Sequence, residues 1–96
     1  KRYKKNIKPL THCLDIIKQL EPVTYVMRKG STNTEIGLIA DDVLKVRPEY
    51  VEFNKDEEIE GLKYQRIVAD LIGAVKEQQT QIDELKAEIK IIKQGR

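Results

Sequence analysis

From Tyr64 to Lys93 the sequence places Tyr64, Val68, Leu71, Val75, Gln78, Ile82, Leu85, Ile89 and Ile92 at steps that alternate four and three. A 3.5-residue period held over four heptads is the coiled-coil period, and it predicts one long helix. Val68, Val75, Ile82 and Ile89 take the a positions; Tyr64, Leu71, Gln78, Leu85 and Ile92 take d. Beyond Gln78 the rest of the helix surface is mostly Gln, Asp, Glu and Lys. A solitary helix would therefore leave Ile82, Leu85, Ile89 and Ile92 in water, where burying each is worth ~1.5–3 kcal/mol. A partner helix is expected. Glu88 at g and Lys93 at e of the following heptad pair between chains only if the helices run parallel.

Stoichiometry is less determined by the pattern. β-Branched a residues with Leu at d lean towards a dimer, whereas Ile92 at d and the mixed layers weaken that lean. Gln78 either fixes the register at some cost in stability or is merely tolerated. In the first turns Ile67, Leu71, Ile72 and Val75 spread the apolar surface wider than a two-position stripe, and that wider face is expected to carry a small globular part. At 1.5 Å per residue the helix would reach about 45 Å and project as a stalk.

Taking residues 64–96 as the coiled-coil stalk leaves 1–63 of the 96-residue chain to build a domain. Domains of that size bury only ~60% of the surface of their unfolded chain, so oligomerisation is the expected compensation. One Cys (Cys13) excludes an internal disulfide. Eighteen Lys plus Arg against sixteen Asp plus Glu leave a net charge of +2, too balanced to suggest nucleic acid as a partner. No apolar run approaches the ~20 residues of a membrane span and no signal peptide opens the chain, so no membrane partner is expected. The start at Lys1 reads as a fragment of something longer.

Along the chain, Thr11 is the expected N-cap of a short helix with Leu10, Cys13, Leu14, Ile17 and Leu20 on one face, ended by Pro22. Val23–Met27 alternates as a strand, Lys29–Asn33 has turn composition, and Glu35–Ile39 returns as the second strand of a hairpin. Asp41 is the expected N-cap of a two-turn helix closed by Pro48. Tyr50–Phe53 and Ile59–Leu62 form a second hairpin, turning through Asn54–Glu58. The fold class is thus α+β: short helices and β-hairpins, then the long C-terminal helix.

Little in this pattern carries chemistry. His12 and Cys13, adjacent on a helix, diverge and lack further soft ligands, so no metal or cofactor is expected. Asp41 and Asp42 diverge likewise, and capping accounts for Asp41. Glycine-rich phosphate loops are absent. The basic start, Lys1, Arg2, Lys4, Lys5 and Lys8, is the exception. Crowded lysines disfavour one another's charge, and one of them partly buried could give up its proton and act as a base. Its plain alternative is a solvated basic tail.

Several segments together resemble the chaperone-of-endosialidase family: Lys1–Leu10, Leu20-Glu21-Pro22-Val23-Thr24-Tyr25, Glu35–Val43 with Pro48-Glu49 after it, and Gly61-Leu62-Lys63-Tyr64. The likeness runs from Arg2 to about Glu84. In phage tailspikes, tail fibres and neck appendages such domains end a parent chain, bring three chains together, guide folding of the intertwined β-structured trimer ahead of them and then cut themselves off. A membrane-bound animal transcription factor carries a relative. The cut uses a Ser-Lys dyad in a Ser-Asp-x-x-x-Lys pattern, and the bond before the serine breaks.

With Arg2 and Ile7 laid on the family's Arg and Ile, the resemblance puts the catalytic lysine at Lys4, with Lys5 a weaker substitute. The serine then falls two positions before Lys1. The chain as given is expected to be inactive alone, as a released product or an equivalent of it. Asp41-Asp42 stands where the family often has Gln-Glu or Asp-Glu, which leaves the capping expectation intact.

The resemblance moves the expected stoichiometry from dimer to a parallel homotrimer through Val68, Leu71, Val75, Gln78, Ile82, Leu85, Ile89 and Ile92. The partners implied are two further copies and the parent fibre or spike polypeptide as folding client, in the host cytoplasm during phage assembly, with the released chaperone absent from the mature virion. The competing reading is a permanent trimerisation cap that never separates.

Overall fold

The computed structural model describes residues 3–30 and 32–95, so Lys1, Arg2, Ser31 and Arg96, with the expectations placed on them, lie outside the described residues. The order of elements is α1 (Cys13–Ile17), β1 (Val23–Val26), β2 (Thr34–Gly37), α2 (Ala40–Val46), a 3-10 turn (Pro48–Tyr50), β3 (Val51–Phe53), β4 (Ile59–Leu62) and α3 (Tyr64–Gln94). This is the α+β arrangement of short helices, two hairpins and a long helix expected from the periodicities. The molecule measures 63 × 41 × 22 Å, and the 31-residue α3 accounts for about 46 Å of the long dimension.

Each hairpin is an antiparallel pair of its own, and among the described residues no strand joins the two. β1 pairs with β2 from Val23↔Gly37 to Val26↔Thr34, with Val23 and Tyr25 half-buried and Thr24 and Val26 outward, the alternation the sequence predicts. Met27 and Leu38 lie beyond the paired strands. In the second hairpin Val51 faces Leu62, Glu52 faces Gly61, and an irregularity between Glu52 and Phe53 brings Phe53 opposite Ile59. Its turn is tied by Asn54, whose Oδ1 accepts from the amides of Asp56 (2.9 Å) and Glu58 (3.0 Å), with Glu57 at φ 62°. A short polar side chain that mimics a backbone acceptor is a common device for such tight turns.

Two capping expectations fail. Thr11 does not cap α1: His12 stands at that position with φ 59°, and no side chain of the turn itself caps the helix. A carboxylate from α3 takes the work instead, as described below. Asp41 is not the N-cap of α2 either, because the cap falls two residues sooner, at extended Ile39, and Asp41 and Asp42 lie in the first turn. Their charge there still suits the positive helix end. Pro48 closes α2 as expected. Arg47 before it is extended (φ −154°, ψ 102°), as a residue preceding proline tends to be, and the chain then makes the 3-10 turn.

The core is small. Val43 of α2, Tyr50 of the 3-10 turn, Val51 of β3 and Ile67 of α3 are buried together, ringed by half-buried Ile16, Ile17, Leu20, Leu38, Leu44, Ile59 and Leu62. The second hairpin is thus part of the core. The first projects from it, with Val26, Met27 and Ile36 exposed and Ile36 83% so. Its base reaches α3 where Gly37 meets Tyr64: a Cβ on Gly37 would lie 3.1 Å from the Tyr64 hydroxyl.

Candidate functional site

α3 presents two working faces. The heptad frame that puts Val68 and Leu71 at a and d puts Ile67 and Ala74 at g, Asp70 and Glu77 at c, and Gly73 at f. Ile67, Asp70 and Ala74 are the buried residues of the helix, and all lie on this flank. The small domain therefore packs beside and behind the seam, leaving the seam itself open.

The flank is built around a buried carboxylate. Asp70 is 1% exposed, accepts a hydrogen bond from the Tyr50 hydroxyl through Oδ2, and faces the Arg47 guanidinium at 3.3 Å. The same guanidinium stands 5.5 Å from the centroid of the Tyr50 ring. A charge this deep is tolerated only when paired and hydrogen-bonded, and these partners join α2 and the 3-10 turn to α3. Lys63 donates its amide to the Tyr50 carbonyl at 2.7 Å and Arg66 donates from Nη1 to the Glu49 carbonyl at 2.9 Å, fixing the same junction.

One turn further along, α1 docks. Gly73 leaves room for Cys13: a Cβ at position 73 would sit 2.9 Å from the Cys13 Cβ and closer still to its sulfur. Glu77 then reaches the end of α1, accepting from the Cys13 amide through Oε2 (2.9 Å) and the Leu14 amide through Oε1 (3.1 Å). These amides are among the free donors that any helix N-terminus leaves, and their bonds, Leu14 foremost, hold the Glu77 carboxyl below the usual carboxylate range. Burial pushes the Cys13 thiol up to about 11, with the Asp70 and Glu77 carboxylates adding to it. Cys13 is therefore a packing residue that stays protonated at neutral pH.

The other face is the seam. Val68, Leu71, Val75, Ile82, Leu85, Ile89 and Ile92 run 44–61% exposed, and Gln78 is exposed in line with them. Ile72 and Ile91 are open as well. Tyr64 differs from the rest of the row, since its hydroxyl is turned to the first hairpin at Gly37. Contiguous apolar surface on this scale marks an interaction site. The expected catalytic residue, Lys4, lies in the segment ahead of α1 that forms no regular element; it and Lys5 are exposed. The sequence reasoning missed Asp70, Gly73 and Glu77. For Asp70 a signal was present: it shares the i, i+3, i+7 face with Ile67 and Ala74, where a charge must find a partner.

A small α+β domain is thus clamped to one flank of a long helix whose heptad seam stays open. Residues 1–52 match the family described as chaperone of endosialidase. The chain belongs to that family. The match stops at Glu52, short of the long helix. The chain is also similar to the long tail fiber protein Gp37 of Salmonella phage S16, 30% identical over 102 residues that take in 97% of this chain and 14% of that protein. It thus spans about a seventh of the length of that curated relative.

Proposed function

We propose that this chain is the C-terminal intramolecular chaperone of a phage tail fibre or kindred appendage protein, with residues 1–63 as the chaperone domain and 64–96 as a parallel three-stranded coil. In this reading it gathers three copies of its parent, guides the folding of the β-structured trimer ahead of it, and is released by self-cleavage. The observation that carries the reading is the a/d row from Val68 to Ile92, apolar at every position but Gln78 and exposed along a helix whose own domain packs on a different flank. Family membership and the tail-fibre relative support the client.

For the cleavage, the serine two positions before Lys1 attacks the carbonyl carbon of the residue preceding it. Its hydroxyl proton passes to the neutral Nζ of Lys4 and on to the departing serine nitrogen, and water hydrolyses the resulting ester. Lys4 is exposed in a single chain, and burial between assembled chains would favour its neutral form and so time the cut to follow assembly.

Intact-mass measurement of an upstream-extended chain over time tests this directly. The expected outcome is a fragment that begins with serine two residues before Lys1, and its loss in Lys4→Ala with trimer formation intact. A single full-length mass in an assembled trimer would favour the permanent trimerisation cap, and normal cutting in Lys4→Ala would remove Lys4 from the mechanism.

A further inference from the structure

Ile72 is an apolar residue that neither the small domain nor the a/d seam accounts for. It occupies an e position, is 59% exposed, and lines a groove of about 280 Å3 with Val68, Leu71, Val75 and Lys76. Further down, the e positions change character: Gln79, Lys86 and Lys93 follow. The third apolar position thus occurs only along the part of α3 that the small domain flanks.

In a parallel coil the g residue of one helix meets the e residue five positions later on its neighbour. That rule pairs Glu88 with Lys93, a complementary charge pair, and it pairs Ile67 with Ile72. Ile67 is 7% exposed and belongs to the core with Val43, Tyr50 and Val51. The residue across the coil from Ile72 is therefore the edge of another chain's core. Resting on the parallel trimer proposed above, we propose that Ile72 of each protomer packs against the small domain of the adjacent copy and completes its core in trans. Chaperone domain and coil are then coupled, and each domain is fully formed only when a neighbour is in place.

A trimer assembled from differently isotope-labelled chains tests this without any substitution. The expected result is an intermolecular NOE from the Ile72 methyl groups to Ile67 of the other chain, besides those between a residues such as Val75. Intermolecular NOEs confined to the a/d residues would overturn the proposal and leave the trimer standing; a monomeric mass by sedimentation equilibrium would remove both. As a second arm, Ile72→Gln is expected to keep the trimer mass while the amides of Tyr50 and Val51 exchange about tenfold faster. Ile91→Gln, a substitution of an equally exposed isoleucine at c, should leave those amides unchanged. Equal exchange in the two variants would count against the packing in trans, and should Ile72→Gln fail to assemble, the NOE result decides.

Discussion

Between Tyr64 and Glu77, α3 buries Ile67, Asp70 and Ala74 against its own chain; from Gln78 to Gln94 it buries nothing. Both halves have a heptad seam and comparable helix formers, so the difference lies in what stands beside them. The upper half is a wall of a domain, with Gly73 and Glu77 shaped to receive α1 and Asp70 to receive Tyr50 and Arg47. The lower half exposes Ile82, Leu85, Ile89 and Ile92, and no described part of its own chain covers them. One helix thus joins a part held by contacts within its own chain with a part that has none.

The largest effect should come from charging the lower seam. Ile82→Asp with Ile89→Asp removes two apolar layers, about 3–6 kcal/mol per chain if each side chain is worth ~1.5–3. The expected outcome is monomers by sedimentation equilibrium and a melting temperature that no longer depends on concentration. A trimer that survives both substitutions would place assembly in the upper half and erase the contrast.

Next in size is the upper half's own anchor. Asp70→Ala leaves the Tyr50 hydroxyl and the Arg47 guanidinium without their partner. Truncating one side of a buried pair costs 3–5 kcal/mol, and the quarter-exposed Arg47 places this case at about 3. Urea unfolding of the small domain should move to lower denaturant while the trimer mass holds at high concentration. Loss of the trimer together with the domain, even at high concentration, would mean that the two halves are not separable and would erase the contrast.

How much of this could be read from the sequence follows the same division. Elements defined by local pattern were legible: the alternation of Val23–Val26, the prolines at 22 and 48, the Asn54 turn and the seam of α3 each act within a few residues. The contacts that assemble them were not. Thr11 is a good capping residue by local rules, yet α1 is capped by Glu77, 63 and 64 positions away from the amides it serves. Nothing near Thr11 announces that. Gly73 likewise reads as a weak spot in a helix until Cys13 is seen against it. For the site, the exposed row along α3 was legible because it is one local period, whereas Lys4 rests on resemblance, since it belongs to no element that would position it.

Gly73→Ala makes that point measurable. In an open helix the change would gain about 1 kcal/mol. Here the new methyl meets the Cys13 side chain, and overpacking of that kind costs about 1–3 kcal/mol. The expected net result is a modestly destabilised domain in which α1, and little else, loses amide protection. A stabilised protein would show that α1 yields easily and that its docking contributes little to the upper half.

The smallest effect, and the most selective, concerns Glu77. Its carboxyl is held below the ordinary value chiefly by the Leu14 and Cys13 amides. A carboxylate with a depressed folded pKa contributes stability that is fully present above its unfolded value, near 4.3, and lost as pH falls through the folded one. From neutral pH down to about 4.5 the docking of α1 should therefore be steady, and below that it should loosen. Protection of the Cys13 and Leu14 amides, corrected for intrinsic exchange, reads this directly. Glu77→Gln keeps one acceptor oxygen but no charge, so it should lower protection at neutral pH and flatten the acid dependence. The acid loosening belongs to the flank of α3 alone: seam residues Ile82 and Ile89 touch no titrating cap, and their amides should follow the trimer's mass and not this carboxylate. If Glu77→Gln kept the wild-type acid profile, another group would control α1, and the carboxylate would be reduced to one more surface charge on a helix that packs through Gly73.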